Sequence, residues 1–137
     1  MDNKKFATAI NCMDGRVQLP VIEWLKKSYG VDYVDNITEP GPSGILAENK
    51  DAPVIELIKK KVQISVNKHG SKLIAIAGHY DCTANPEDKE TQASQILTSI
   101  KKINSWGFNA QVIGLWVDEN LGVHLVKSLK CGGNSIV

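Results

Sequence analysis

The chain has little cysteine: three in 137 residues, at Cys12, Cys82 and Cys131. An odd and widely spaced trio excludes a disulfide scaffold and points to metal binding or thiol chemistry. No C-x-x-C pair is present, which excludes a dithiol redox motif. Charge of one sign is lacking too, since the formal net charge is +1, and nothing calls for nucleic acid or an anionic membrane as partner. The only basic run, Lys59-Lys60-Lys61, falls inside a helical pattern and reads as a solvated helix face. No apolar run approaches the ~18 residues of a membrane span. The first residues, Met1-Asp2-Asn3-Lys4-Lys5, lead into a short strand without the apolar core of a signal peptide. The expected location is cytoplasmic. With no internal repeat or linker, the expectation is a single domain over residues 1–137, of which about 128–137 form a loosely ordered tail.

What is present is an alternation of short apolar runs and amphipathic stretches. Phe6–Ile10 reads as a first strand, and Asn11 to Gln18 as a polar loop. A helix then opens with Pro20 in its first turn, carries Leu19, Ile22, Leu25 and Tyr29 at helical spacing, and stops at Gly30. Val31–Ile37 reads as a second strand, and residues 38–44, with two prolines and two glycines, as a long loop. Asp51 caps a helix whose apolar stripe is Val54, Ile55, Ile58, Val62 and Val66. Lys72–Ala77 is apolar without alternation, the mark of a strand covered on both faces. Asn85-Pro86-Glu87-Asp88 reads as the next helix start, followed by Ala93, Ile96, Leu97, Ile100 and Ile103 on its core side. Ala110–Val117 is a fourth strand, and Val123–Val126 a short fifth at the edge. The expected fold is α/β: a mainly parallel four-stranded sheet of order 2-1-3-4, with helices on both faces.

Two motifs follow strands one and three. The first is Cys12-Met13-Asp14-Gly15-Arg16, the second His79-Tyr80-Asp81-Cys82. In that strand order both lie at the switch point, where the connection reverses and such sheets bind ligands. Two Cys and one His are ligand types that zinc prefers, and three protein ligands leave one position open for catalysis. Taken singly, each has a plainer reading: a buried small cysteine, a satisfied polar histidine. Spacing alone leaves both readings open. A phosphatase-type loop needs a longer stretch between its Cys and Arg, and the three residues between Cys12 and Arg16 are short for it. Cys131 reads as incidental, His69 as a helix C-terminal residue and His124 as part of the edge strand. Trp24, Trp106 and Trp116 read as core or interface residues.

C-x-D-x-R followed by H-x-x-C, each after a strand of a small α/β fold, resembles the β-class carbonic anhydrases. With Thr38-Glu39-Pro40-Gly41-Pro42, the two motifs are similar to a short prokaryotic branch of that superfamily. The resemblance implies that Cys12, His79 and Cys82 are zinc ligands and that Asp14 and Arg16 form a catalytic dyad beside the metal. Asp14 would be a fourth ligand in a closed state. The implied reaction is reversible hydration of carbon dioxide, or of a similar small heterocumulene, by zinc-bound hydroxide. The implied assembly is a homodimer or a higher homo-oligomer. The family has a Gly-rich turn after the second Cys, where this chain has Thr83-Ala84-Asn85-Pro86. Two other classes compete: a non-enzymatic zinc-binding or assembly module of the same fold, and a metal-free thiol protein using Cys12. Asp14 and Arg16 favour the enzyme, because a purely structural zinc site needs neither.

Overall fold

Each apolar run finds a place in one twisted sheet. The computed structural model describes residues 3–130. In chain order the elements are β1 (Phe6–Cys12), α1 (Gly15–Tyr29), β2 (Tyr33–Glu39), α2 (Pro42–Ala47), α3 (Ala52–His69), β3 (Leu73–His79), α4 (Lys89–Ser105), β4 (Gln111–Val117) and β5 (Val123–Leu129). The sheet order is 2-1-3-4-5. The first four strands are parallel, and β5 pairs antiparallel with β4. The expected four-stranded order therefore stands, with the fifth strand added at the edge.

The helices divide between the two faces. Ile10, Ile74 and Ile76 point to the face covered by α3 and α4, where they pack with Ile58, Val62, Ile96 and Ile100. Ala7, Ala9, Ala75 and Leu115 point to the other face, under Val17, Val21 and Leu25 of α1. All seven residues of β3 are buried, as a central strand without alternation demands. Gly114 of β4 makes the α4 contact close: a Cβ there would collide with Ile96 Cγ2 and lie 2.9 Å from Ile100 Cδ1.

Several boundaries differ from expectation. α1 starts at Gly15, not near Pro20, because the Asp14 side chain accepts from Arg16 N and caps the helix early. Pro20 lies inside the helix, and the buried stripe is Val17, Val21 and Leu25, leaving Leu19 61% exposed. β2 continues through Thr38 and Glu39, which pair with Asn11 and Cys12 of β1. Only Pro40 and Gly41 remain of the expected loop before Pro42 opens α2. α4 begins at Lys89, capped by Asp88, whose carboxylate accepts from Thr91 N at 2.7 Å. Asn85, expected to cap, is buried against Gly41 and Gly44 of the α2 turn, and its Nδ2 donates to Gln95 Oε1 at 2.7 Å. β5 runs past Val126, so Ser128 and Leu129 are buried strand residues, not tail. Of the rest of the expected tail, Lys130 is exposed, and residues 131–137, Cys131 among them, lie outside the described residues. No described helix is long and apolar enough to cross a membrane.

Candidate metal centre

β1 and β3 are neighbours, with Thr8 opposite Ile74 and Ile10 opposite Ile76. Their outer partners are β2 and β4 respectively, so the winding reverses between them and leaves a crevice at their carboxyl ends. Cys12 is the last residue of β1, and His79 the last of β3. Cys82 follows after a two-residue turn. The ligand atoms of Cys12, His79 and Cys82 all lie within 4.8 Å of one another, and all three residues are buried. Among the described residues, no other set of three His, Cys, Asp or Glu side chains gathers so closely.

The geometry fits a metal ion. The two sulfurs are 3.9 Å apart, much too far for a disulfide. Two thiolates on one tetrahedral zinc, each at about 2.3 Å, would be about 3.8 Å apart. His79 Nδ1 lies 2.6 Å from the Tyr80 carbonyl oxygen, which can only accept, so Nδ1 carries the proton. Nε2 is left with its lone pair. It is buried and has no hydrogen-bond partner. A buried acceptor left unpaired is costly, and a metal ion here would satisfy it.

The local charges are poised in the same sense. The neighbouring Cys82 thiol holds Cys12 down to about 4 by its hydrogen bond; burial opposes this, and His79 assists. The same hydrogen bond, with burial, pushes Cys82 up. Burial opposes a charged His79, but its contact with the Cys12 thiolate, its bond to Tyr80 and the Asp14 charge raise it overall. These contacts favour the thiolate form of Cys12, the charge state that a metal ligand needs.

Asp14 and Arg16 sit beside it. Asp14 Oδ2 accepts from Arg16 Nη2 at 2.6 Å, and Arg16 Nε reaches both carboxylate oxygens, at 3.1 and 3.2 Å. This side-chain pairing, with the cap bond from Arg16 N, holds Asp14 down at about 2 and raises Arg16. A cleft of about 290 Å³ is lined by Cys12, Met13, Asp14, Pro40, Thr83 and Ala84. Its walls are mostly apolar, and Asp14 is its one carboxylate.

All five residues singled out in the sequence therefore converge. Others were missed. Buried Gln92 of α4 donates to His79 O at 2.8 Å and accepts from His79 N at 3.2 Å, fixing the end of β3. Buried Asn11 accepts from Cys12 N at 2.9 Å and donates to Val17 O. The sequence marked Asn11 only as the start of a polar loop, and Gln92 only as one polar residue among several near a helix start. His69 pairs with Asp35, and His124 with Asp118, both away from the cluster.

These features define a doubly wound α/β protein with a Cys–His–Cys group, able to hold a metal ion, at its switch point. The sequence model of the family described as "Putative carbonic anhydrase" matches residues 2–127, and the chain belongs to that family. No curated protein matches the sequence. Among solved structures, the chain is similar to the β-carbonic anhydrase CafA of the fungal pathogen Aspergillus fumigatus. That match has 16% identity and a TM-score of 0.60, and covers 89% of this chain and 74% of the other. It is also similar to one of two tetrameric β-carbonic anhydrases from the filamentous ascomycete Sordaria macrospora, at 15% identity and a TM-score of 0.54, covering 89% and 80%. At these identities the likeness is one of fold, and the fold is that of the β-carbonic anhydrases.

Proposed function

We propose that the chain is a zinc-dependent, carbonic anhydrase-like hydrolyase that reversibly hydrates carbon dioxide or a similar small heterocumulene. The observation that carries this reading is His79 Nε2, buried without a partner beside two thiols 3.9 Å apart. Cys12, His79 and Cys82 would hold the ion. Zinc, when bound, supplies a Lewis acid that makes a water acidic enough to attack near neutral pH. Two thiolates cancel the ion's double charge, so the acidifying effect is weaker than with three imidazoles.

The remaining work falls to the chain. Asp14 can accept a hydrogen bond from the attacking water and orient it toward the cleft. Arg16 restrains that carboxylate through Nε and Nη2. The apolar walls suit a small uncharged substrate, which needs no charged anchor. We place the protein in the cytoplasm as a homodimer or higher homo-oligomer; the tetrameric Sordaria macrospora relatives support assembly.

Metal analysis combined with stopped-flow hydration tests the reading. The expected result is about one zinc per chain, by the ligand-set argument, and a hydration rate that rises with pH. A zinc-replete protein inactive from neutral to alkaline pH rejects the anhydrase and leaves the binding or assembly module. A protein that takes up no zinc rejects both.

A further inference from the structure

Arg16 has five N–H bonds, and every one has an acceptor. Nε is shared between the two oxygens of Asp14. Nη2 donates to Asp14 Oδ2 and, at 3.2 Å, to the Asp81 carbonyl oxygen. Nη1 donates to Tyr80 Oη at 3.1 Å and to Asp81 Oδ2 at 3.4 Å. The guanidinium carbon also stands 5.1 Å from the centre of the Tyr80 ring, within reach of its π face. A guanidinium offers five donors and no acceptor. With all five engaged, Arg16 has none left for a substrate anion.

The residues that occupy it are the two between His79 and Cys82. Their backbone is set for the task. Asp81 has φ +53°, a left-handed conformation that costs a non-glycine residue energy unless its surroundings impose it. Tyr80 N is anchored to Val117 O of β4 at 3.0 Å. The Tyr80 carbonyl takes the His79 Nδ1 proton, while its ring and hydroxyl hold Arg16. One dipeptide therefore grips the histidine on one side and the arginine on the other.

We propose that Tyr80 and Asp81 are positioning residues that lock Arg16 as a bracket for Asp14, so that Asp14 stays off the metal and the fourth coordination position stays open. This rests on the zinc reading above. The clamp acts through Arg16 and need touch neither substrate nor metal.

The test uses protein loaded with cobalt(II), whose visible absorption reports its ligands, and azide as a probe for an open position. Wild type should bind cobalt and then azide. Tyr80→Phe keeps the ring but removes one acceptor, and Asp81→Ala removes another and disfavours the left-handed turn. Each should keep about one metal ion per chain and lower azide affinity by about tenfold, the change expected when a hydrogen bond to a charged group is lost. Asp81→Asn, which tolerates the turn and keeps an oxygen, should stay near wild type. Adding Asp14→Ala to either weakened variant should restore azide binding, because the competing carboxylate is gone. Unchanged azide affinity in both Tyr80→Phe and Asp81→Ala overturns the clamp while leaving the metal site intact. So does a loss that Asp14→Ala does not restore. Wild type that binds no cobalt overturns the zinc reading, and the clamp falls with it.

Discussion

Cys82 and Arg16 illustrate what a single residue decides in this site. Cys82 stands 3.9 Å from Cys12 and is buried, so its removal leaves two ligands where a stable site needs three or four. Cys82→Ala should therefore purify without zinc under conditions that load the wild type, as read by atomic absorption. Stoichiometric zinc in that variant would remove Cys82 from the ligand set. Arg16→Ala should behave differently. It touches no ligand, so zinc should be retained, while hydration should fall by about a hundredfold or more, the scale of a misplaced acid–base group. Wild-type turnover in that variant would show that Asp14 needs no bracket. The five site residues were legible because cysteine, histidine and an Asp–Arg pair are uncommon choices beside a strand end. Tyr80, Asp81, Asn11 and Gln92 were not. Their importance lies in one turn's backbone conformation and in buried amide contacts, and neither leaves a mark on spacing.

At the scale of elements, residue type foretold where strands and helices lie but not where they begin. Asp14 and Asp88 captured helix starts that Pro20 and Asn85 seemed better placed to mark. Asn85 is a sound cap by type, yet packing against Gly41 and Gly44 claims it. α2 was hidden because it is six residues long and opens inside a Pro/Gly segment. Element packing gives a stability prediction at Gly114, where α4 rests on β4. Gly114→Ala should destabilise by about 1–3 kcal/mol through overpacking against Ile96 and Ile100, read from the denaturant midpoint. An unchanged midpoint would mean that α4 can shift freely. The β4–β5 turn offers a pH test. Asp118 is held below the usual carboxylate range, first by the His124 hydrogen bond at 2.6 Å, then by the amide of Gly122. A lowered folded pKa stabilises above the unfolded value of about 4 and loses that effect as pH falls through the folded value. The melting-temperature advantage of wild type over Asp118→Asn should be full above about pH 4 and shrink below it. A constant difference down to pH 2 would contradict the assignment.

For the whole molecule, chain order carried most of the information. Alternating helices and fully apolar strands left few sheets to consider, and right-handed crossovers put Cys12 and His79 side by side. Of the two readings of the tryptophans, core or interface, the structure supports core: Trp116 is buried, while Trp24 and Trp106 pack against the two cores. The sheet edges make a better case. β5 carries a register shift opposite Gly114 and Leu115, and its exposed positions include His124 and Lys127, features that discourage further pairing. β2 has no register shift and no exposed basic residue, although it carries Asp35 and Glu39. Its seven residues pair in unbroken register with β1, it contains neither lysine nor proline, and among the described residues no strand lies on its other side. An edge so open is a template for a second strand, and a two-fold pairing with another copy closes it in both subunits at once. The protein should therefore sediment as a dimer or larger at micromolar concentration. Hydrogen exchange should show β2 amides protected there and released on dilution toward monomer, while β3 stays protected throughout. Sedimentation as monomer alone would reject the assembly. A dimer whose β2 exchange does not change on dilution would place the contact elsewhere.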